Sequence, residues 1–293
     1  MKLGFIGLGA MGRPMALHLV RGGHELAVYA RRPEAAAPLV EAGALACDSP
    51  AEVARRADVV FTIVTSSADV EQVALGDKGI AQGAAPGSVL VDMSTIAPSV
   101  ARRIASALEQ RGIEMLDAPV SGGTAGAAAA TLAIMAGGRT EVLDRVRPLL
   151  ELLGKTIVHV GGNGAGQVAK ACNQMVMVSV IEAVAEAVQL ANAAGVDAAK
   201  VREALLGGSA QSRVLDLFGG RMVGRDFRPG VEAWLHHKDF GLVLREAADL
   251  GAPLPVSAQV WQQLNALMGA GMARDDTSSL LRVLEAQSGR RPA

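Results

Sequence analysis

The chain has 293 residues, half of them hydrophobic, yet carries only two Trp, one Tyr and five Phe, against 34 Gly. That length exceeds what one core serves well, so two domains with an aliphatic interior are expected; 28 Lys and Arg against 29 Asp and Glu leave a formal charge of −1, too little field to hold a polyanion, which argues against nucleic acid. Two distant cysteines, Cys47 and Cys172, form neither a disulfide framework nor a zinc site, and no export signal or uninterrupted apolar span is evident, so a cytoplasmic protein without a membrane partner is expected.

Short apolar runs at Lys2–Ile6, Glu25–Tyr29, Val59–Val64, Val89–Met93 and Glu114–Leu116, then Thr131–Ala136 and Thr156–Val160, alternate with helical spacing. This rhythm predicts β/α units and a doubly wound parallel sheet. Ser49-Pro50-Ala51-Glu52 illustrates the punctuation: a capping Ser, Pro in the first turn and an acid behind it. After the glycine run 161–166 no strand pattern returns, so residues 1–163 are expected to form one domain and 164–293 a second, all-α domain.

The second domain should open with a helix over Gln167–Ala194, about 28 residues or roughly 42 Å, because that segment lacks Pro and Gly and keeps helical periodicity. Its stretch from Met175 to Ile181 is expected to be buried among other helices. Shorter helices are predicted over Ala198–Leu206, Phe240–Leu250, Ala258–Met268 and Thr277–Glu285, with Ser288–Ala293 frayed.

Gly7-Leu8-Gly9-Ala10-Met11-Gly12 follows the first strand and opens a helix. In that setting the three glycines divide the work of a dinucleotide site: a tight turn, close backbone approach to a pyrophosphate, and close helix–strand packing. The helix N-terminus adds N–H donors and positive potential. Where the second strand ends, an acid would ordinarily grip the ribose 2′-hydroxyl; here stand Ala30, Arg31 and Arg32. Two arginines suit a 2′-phosphate, so NADP(H) is favoured over NAD(H). Val64-Thr65 and Ser94-Thr95, at carboxyl ends of later strands, lie where a dinucleotide should pass, while Ser66 and Ser67 also suit a helix cap.

Asp117-Ala118-Pro119-Val120-Ser121-Gly122-Gly123 places small residues after a strand, so that backbone N–H groups and a hydroxyl can meet an anion. Lys170 and Asn173 share one face of the long helix, and Lys170 is the single charge between Gln167 and Ile181. A Lys acting as a base near neutrality needs its reference pKa of about 10.4 lowered, for instance by a second cation such as Lys238. Cys172, on another side of the helix, suits packing. His236-His237 lacks the accompanying ligands of a metal site, and no metal is expected.

The segment from Gly4 to Ala16 resembles the N-terminal signature of the β-hydroxyacid dehydrogenase family. The likeness continues through Val91-Asp92-Met93-Ser94-Thr95, Asp117–Gly123, Gly164–Gln174 and Leu235-His236-His237-Lys238-Asp239, and so covers essentially the whole chain. It implies a Rossmann domain, a long interdomain helix and an all-α domain. It also implies that Lys170 is the catalytic proton donor and acceptor, that Ser121, Gly122, Gly123 and Asn173 bind substrate, and that Lys238 and Thr95 lie on the cofactor side. Ala130 departs from the family pattern, which has a glycine there. The C-terminal blocks look closest to tartronate semialdehyde (2-hydroxy-3-oxopropionate) reductases, with 3-hydroxyisobutyrate oxidation as the alternative. An imine reductase or a non-catalytic dehydrogenase-like interaction protein would be expected to lack Lys170. A long helix with an apolar face suggests a homodimer or homotetramer.

Overall fold

A computed structural model describes residues 1–289, which divide into two compact units, Met1–Lys170 and Ala171 onward. The first is built on nine strands: β1 Lys2–Ile6, β2 Glu25–Tyr29, β3 Leu45–Ala46, β4 Val59–Thr62, β5 Val89–Asp92, β6 Glu114–Asp117, β7 Val120–Ser121, β8 Leu132–Gly137 and β9 Gly154–Gly161. Their order is β3-β2-β1-β4-β5-β6-β8-β7, with β9 paired to β8. Strands β1 to β6 are parallel throughout, as the alternating pattern requires. Beyond β6 the sheet becomes mixed: β8 runs antiparallel to β6 and β7 and parallel to β9.

Helices α1 Gly12–Arg21, α2 Ala37–Glu41, α3 Pro50–Arg55, α4 Ser67–Leu75, α5 Pro98–Glu109, α6 Gly123–Ala129 and α7 Thr140–Leu150 cover the two faces. Alternation along the strands decides which residue meets which layer. Leu3, Phe5 and Phe61 point with Val91 toward α1 and α7, whereas Ile6, Val60 and Leu90 point toward α3, α4 and α5. Ser49 caps α3 as expected, its hydroxyl accepting from the Glu52 N–H at 3.2 Å. The Glu52 carboxylate returns to the N–H of Asp48, the residue before the cap, at 2.9 Å, a reciprocal contact close to a capping box.

The long helix, α8, runs over Ala165–Ala193, 29 residues. Helices α9 Ala198–Leu206, α10 Arg213–Val223, α11 Ala233–Asp249, α12 Pro255–Gly269 and α13 Leu280–Gln287 complete the second unit. Although α8 has the length and apolarity to cross a bilayer, its Val178, Ile181 and Ala185 are buried in a core with Leu215, Phe218, Phe240, Leu264 and Leu280. The expected burial of the whole stretch from Met175 to Ile181 does not hold, since Val176 is 59% exposed. Helix α10 and the first turns of α11 were not foreseen, and the segment predicted as a helix over Thr277–Glu285 starts as a 3-10 turn at Thr277–Ser279. Ser288 is held rather than loose: its hydroxyl donates to the Glu285 carbonyl and accepts from Gln189. The rest of the segment expected to fray, from Arg290, lies outside the described residues.

Ala130 explains its own oddity. It ends α6 in the left-handed region at φ 53°, ψ 42°, a conformation that penalises a Cβ by about 1–2 kcal/mol and that glycine adopts freely. Ala130→Gly should therefore raise stability by roughly 0.5–1 kcal/mol after the added entropy of the unfolded chain is counted. The check is a urea midpoint that moves upward with an unchanged slope; an unmoved or lower midpoint contradicts it.

Candidate functional site

The loop after β1 has the shape that close approach of a ligand demands. Gly7 has φ 101°, and a Cβ there would sit 2.1 Å from the Ile63 carbonyl oxygen. A Cβ on Gly12 would sit 1.9 Å from the Gly7 carbonyl oxygen, so the strand and α1 can pack only if both stay glycine. Gly9 is different: a Cβ there would meet nothing within 4 Å. Its open side faces the space that a pyrophosphate would need. No side chain caps α1, which leaves its positive end directed at this loop.

Beside the loop lies a cavity of about 670 Å³ lined by Gly7, Leu8, Gly9, Arg31, Arg32, Val64 and Thr65 of the expected residues. Ala10 and Met11 form the turn into α1, and Thr95 is half-buried beyond β5; these three and Gly12 do not line it. The cavity is also walled by residues that sequence reasoning missed, among them Tyr29, Asp48, Asp69 and Lys78. Arg31 Nη1 donates to Asp69 at 3.2 Å, although the guanidinium is 78% exposed and the pair is correspondingly weak. Ser66 caps α4, accepting from the Asp69 N–H, and Ser67 accepts from the Ala97 N–H. Ser94 is buried and spent on structure: its hydroxyl donates to Asp92 at 2.6 Å and accepts from the Val64 N–H at 2.9 Å.

A second constellation assembles where β6 and β7 meet the start of α8. Asp117, at the end of β6, accepts from the Gly164 N–H at 2.6 Å and the Gln167 N–H at 3.0 Å. The Gln167 side chain reaches the loop after β5, accepting from the Ile96 N–H and donating to the Ser94 carbonyl. Gly166 lets the helix come this close, since a Cβ there would lie 2.3 Å from the Met135 carbonyl oxygen. Burial pushes the Asp117 carboxyl up to about 6, against the two N–H groups that hold it down. Asp92, its neighbour across the β5–β6 register, is likewise raised by burial.

One turn further along α8, Lys170 is buried and donates through Nζ to the Val120 carbonyl at 2.7 Å. Val120 precedes Ser121, Gly122 and Gly123, so the structure brings the expected catalytic amine beside the expected carboxylate loop. Gly122 and Gly123 adopt φ 133° and 62°, which turns the chain sharply into α6. His18 of α1 secures the far end of that helix through contacts of Nε2 with the Ala127 and Ala128 carbonyls.

In the second unit, Asn173 donates to the Gln174 side chain at 2.9 Å, and Gln174 donates to Asp239 at 2.6 Å. Asp239 also pairs with Lys238 at 3.1 Å, so the charge of the residue that the sequence offers as a second cation is compensated locally. Buried Gln174 and Asp239 thus join two expected site residues that lie 65 positions apart. His236 bonds Thr277 through Nδ1, while His237 bonds Asn265 and stacks on Trp261; the two rings have separate structural partners. Cys172, expected to pack, is exposed.

Two family models match this chain. The NAD-binding domain of 6-phosphogluconate dehydrogenase matches residues 2–162, and the NAD-binding domain of NADP-dependent 3-hydroxyisobutyrate dehydrogenase matches residues 164–284. The chain is 44% identical over 285 residues to 2-hydroxy-3-oxopropionate reductase of Escherichia coli, covering 97% of each protein. It is 39% identical over 295 residues to NAD-dependent L-serine dehydrogenase of Pseudomonas aeruginosa, covering 98% of this chain and 99% of that one. Among solved structures, Mycobacterium tuberculosis 3-hydroxyisobutyrate dehydrogenase with L-serine superposes with a TM-score of 0.89 at 34% identity, covering 97% and 98% of the two chains.

Proposed function

The chain belongs to the β-hydroxyacid dehydrogenase family, whose members bind NAD(P), and on that premise we propose that it interconverts a small 3-hydroxy carboxylate and its semialdehyde, acting chiefly as a 2-hydroxy-3-oxopropionate reductase. The observation that carries this reading is the buried Lys170 amine beside the Ser121-Gly122-Gly123 loop. A nicotinamide, when bound, supplies or accepts hydride. The chain's own residues handle position and proton. In reduction Lys170 Nζ gives a proton to the aldehyde oxygen, and in oxidation it takes one from the alcohol. The Ser121 hydroxyl and the N–H groups of Gly122 and Gly123 hold the substrate carboxylate, and Asn173 donates a further hydrogen bond to substrate.

The cradle residues from Gly7 to Gly12, with Val64, Thr65, Thr95 and Lys238, hold the dinucleotide. Arg31 and Arg32, in place of an acid, favour a 2′-phosphate and hence NADP(H); the weak pair between Arg31 and Asp69 is readily exchanged for a phosphate. In this reading residues 1–163 form the dinucleotide-binding domain and also supply the carboxylate loop, and residues 164–293 form the helical domain for substrate and assembly. The protein works in the cytoplasm as a homodimer or homotetramer. The presence of Lys170 disfavours an imine reductase and a non-catalytic interaction protein.

Turnover of 2-hydroxy-3-oxopropionate, 3-hydroxyisobutyrate, L-serine and a cyclic imine, each with both cofactors, tests the reading. The first substrate with NADPH should be fastest, and Lys170→Ala should lose about 10²–10⁴-fold in kcat with dinucleotide affinity retained. Near-normal turnover by that variant would sink the mechanism. For the cofactor preference, Arg31→Ala should raise the Kd of NADPH about tenfold, as loss of one charge-assisted hydrogen bond does, and leave that of NADH alone. Equal effects on the two cofactors count against it.

A further inference from the structure

The helical unit contains an ionisable group that the dehydrogenase chemistry does not use. Glu182, midway along α8, is only 5% exposed, and neither of its carboxylate oxygens has a hydrogen-bond partner. An ionised carboxylate so placed is costly unless a cation or donors meet it. Glu182 lines a cavity of about 300 Å³ between α8 and α12. Ser179, one turn earlier, lines the same cavity with a hydroxyl that is also buried and unpartnered. Glu186, one turn later, adds a second carboxylate at the more exposed end. Among the described residues no Lys, Arg or His lines the cavity.

These features specify a ligand class. The polar groups on the α8 wall are acceptors of an anionic site, which calls for a cation bearing N–H donors. An ammonium supplies three such donors and a guanidinium five. A divalent metal would need six to eight oxygens, and among the described residues no group of three or more His, Cys, Asp or Glu side chains is assembled to hold one. The remaining wall is aliphatic: Ala183, Val256 and Val260 offer a surface for an alkyl stem. On the α12 side Gln263 is already engaged with Gln287, leaving Gln259 as a further polar contact.

We infer that the cavity between α8 and α12 binds an alkylammonium or alkylguanidinium group, with Glu182 as its counter-ion, Ser179 Oγ as a second acceptor and Val256 and Val260 against the alkyl stem. Burial, and after it the Glu186 charge, push the Glu182 carboxyl up to about 7, so the free site stands ready to ionise when the cation arrives. The group comes either from a free small amine or from a Lys or Arg side chain of a second copy of this chain; the chemistry of recognition is the same.

The test uses the full-length protein with butylammonium chloride, against sodium chloride at matched ionic strength. Thermal unfolding and sedimentation are read for the wild type and for Glu182→Gln, which keeps the side-chain volume and removes the buried charge. For a free amine, butylammonium raises the wild-type Tm saturably and the effect is lost in Glu182→Gln. For a side chain of a second copy, Glu182→Gln weakens self-association at least tenfold and butylammonium dissociates the wild-type oligomer. Ser179→Ala should reduce whichever response is seen, and serves alone if Glu182→Gln does not fold. Identical Tm responses and identical association in wild type and variants would overturn the inference. Because neither readout is turnover, its failure leaves the reductase reading untouched.

Discussion

A single buried carboxylate sets where the long helix α8 begins. Asp117 accepts the Gly164 and Gln167 N–H groups, two of the donors that a helix leaves unpaired in its first turn. That fixes the first turn of α8 on the end of β6, and Lys170 follows three residues after Gln167 with its amine at the Val120 carbonyl. The helix end and its N–H groups favour the charged form of Asp117, whereas burial opposes it; burial wins, and the carboxyl titrates near 6 rather than in the usual carboxylate range. The same arrangement explains two glycines. A Cβ on Gly137 or Gly166 would come within 2.9 Å of an Asp117 carboxylate oxygen, so the carboxylate is enclosed by backbone.

Around this junction the first unit distributes its chemistry in the manner of open α/β sheets, where ligands gather at the carboxyl ends of strands. The glycine cradle follows β1, Val64 and Thr65 follow β4, and Ser94 and Thr95 follow β5. The Ser94 hydroxyl ties two of these ends together, from the Val64 N–H to Asp92. The loops at these carboxyl ends are therefore anchored by buried polar groups, which is how a flexible connection gains a defined shape.

What the sequence made legible was local. Strands β1 and β2 and helix α9 were readable to the residue, because alternation, caps and glycine punctuation lie within a few positions of one another. Strands β3 and β7, two residues each, carry too short a pattern to read. Helix α10 was hidden by Gly219 and Gly220, which suggest a break; in the structure a Cβ on Gly219 would lie 3.3 Å from Val184, so glycine there serves close packing against α8. The glycine turn between β1 and α1 was readable from spacing, whereas the hydrogen bond from Lys170 to the Val120 carbonyl spans 50 positions and was not. The Asp117 cap joins residues 47 and 50 positions apart, and the link from Asn173 through Gln174 to Asp239 spans 66, distances at which one sequence shows no pattern. Glu182 was invisible for a related reason: its burial depends on α12, some 75 residues later.

The most direct test of this account is kinetic and concerns Asp117 rather than Lys170. In Asp117→Asn one of the two N–H groups at the start of α8 faces an amide NH₂ instead of an oxygen, and misplacement of the amine by an ångström is enough to cost about 10²-fold in rate. The measurement is kcat across pH 5 to 9, alongside the dinucleotide Kd, for wild type and variant. The account predicts that wild-type kcat falls as the pH drops through about 6, where Asp117 takes up its proton. The variant should lose kcat at all pH values, lack that acid limb and keep its dinucleotide affinity within about twofold. A variant with wild-type kcat and an unchanged acid limb would contradict the claim that this carboxylate positions the Lys170 amine.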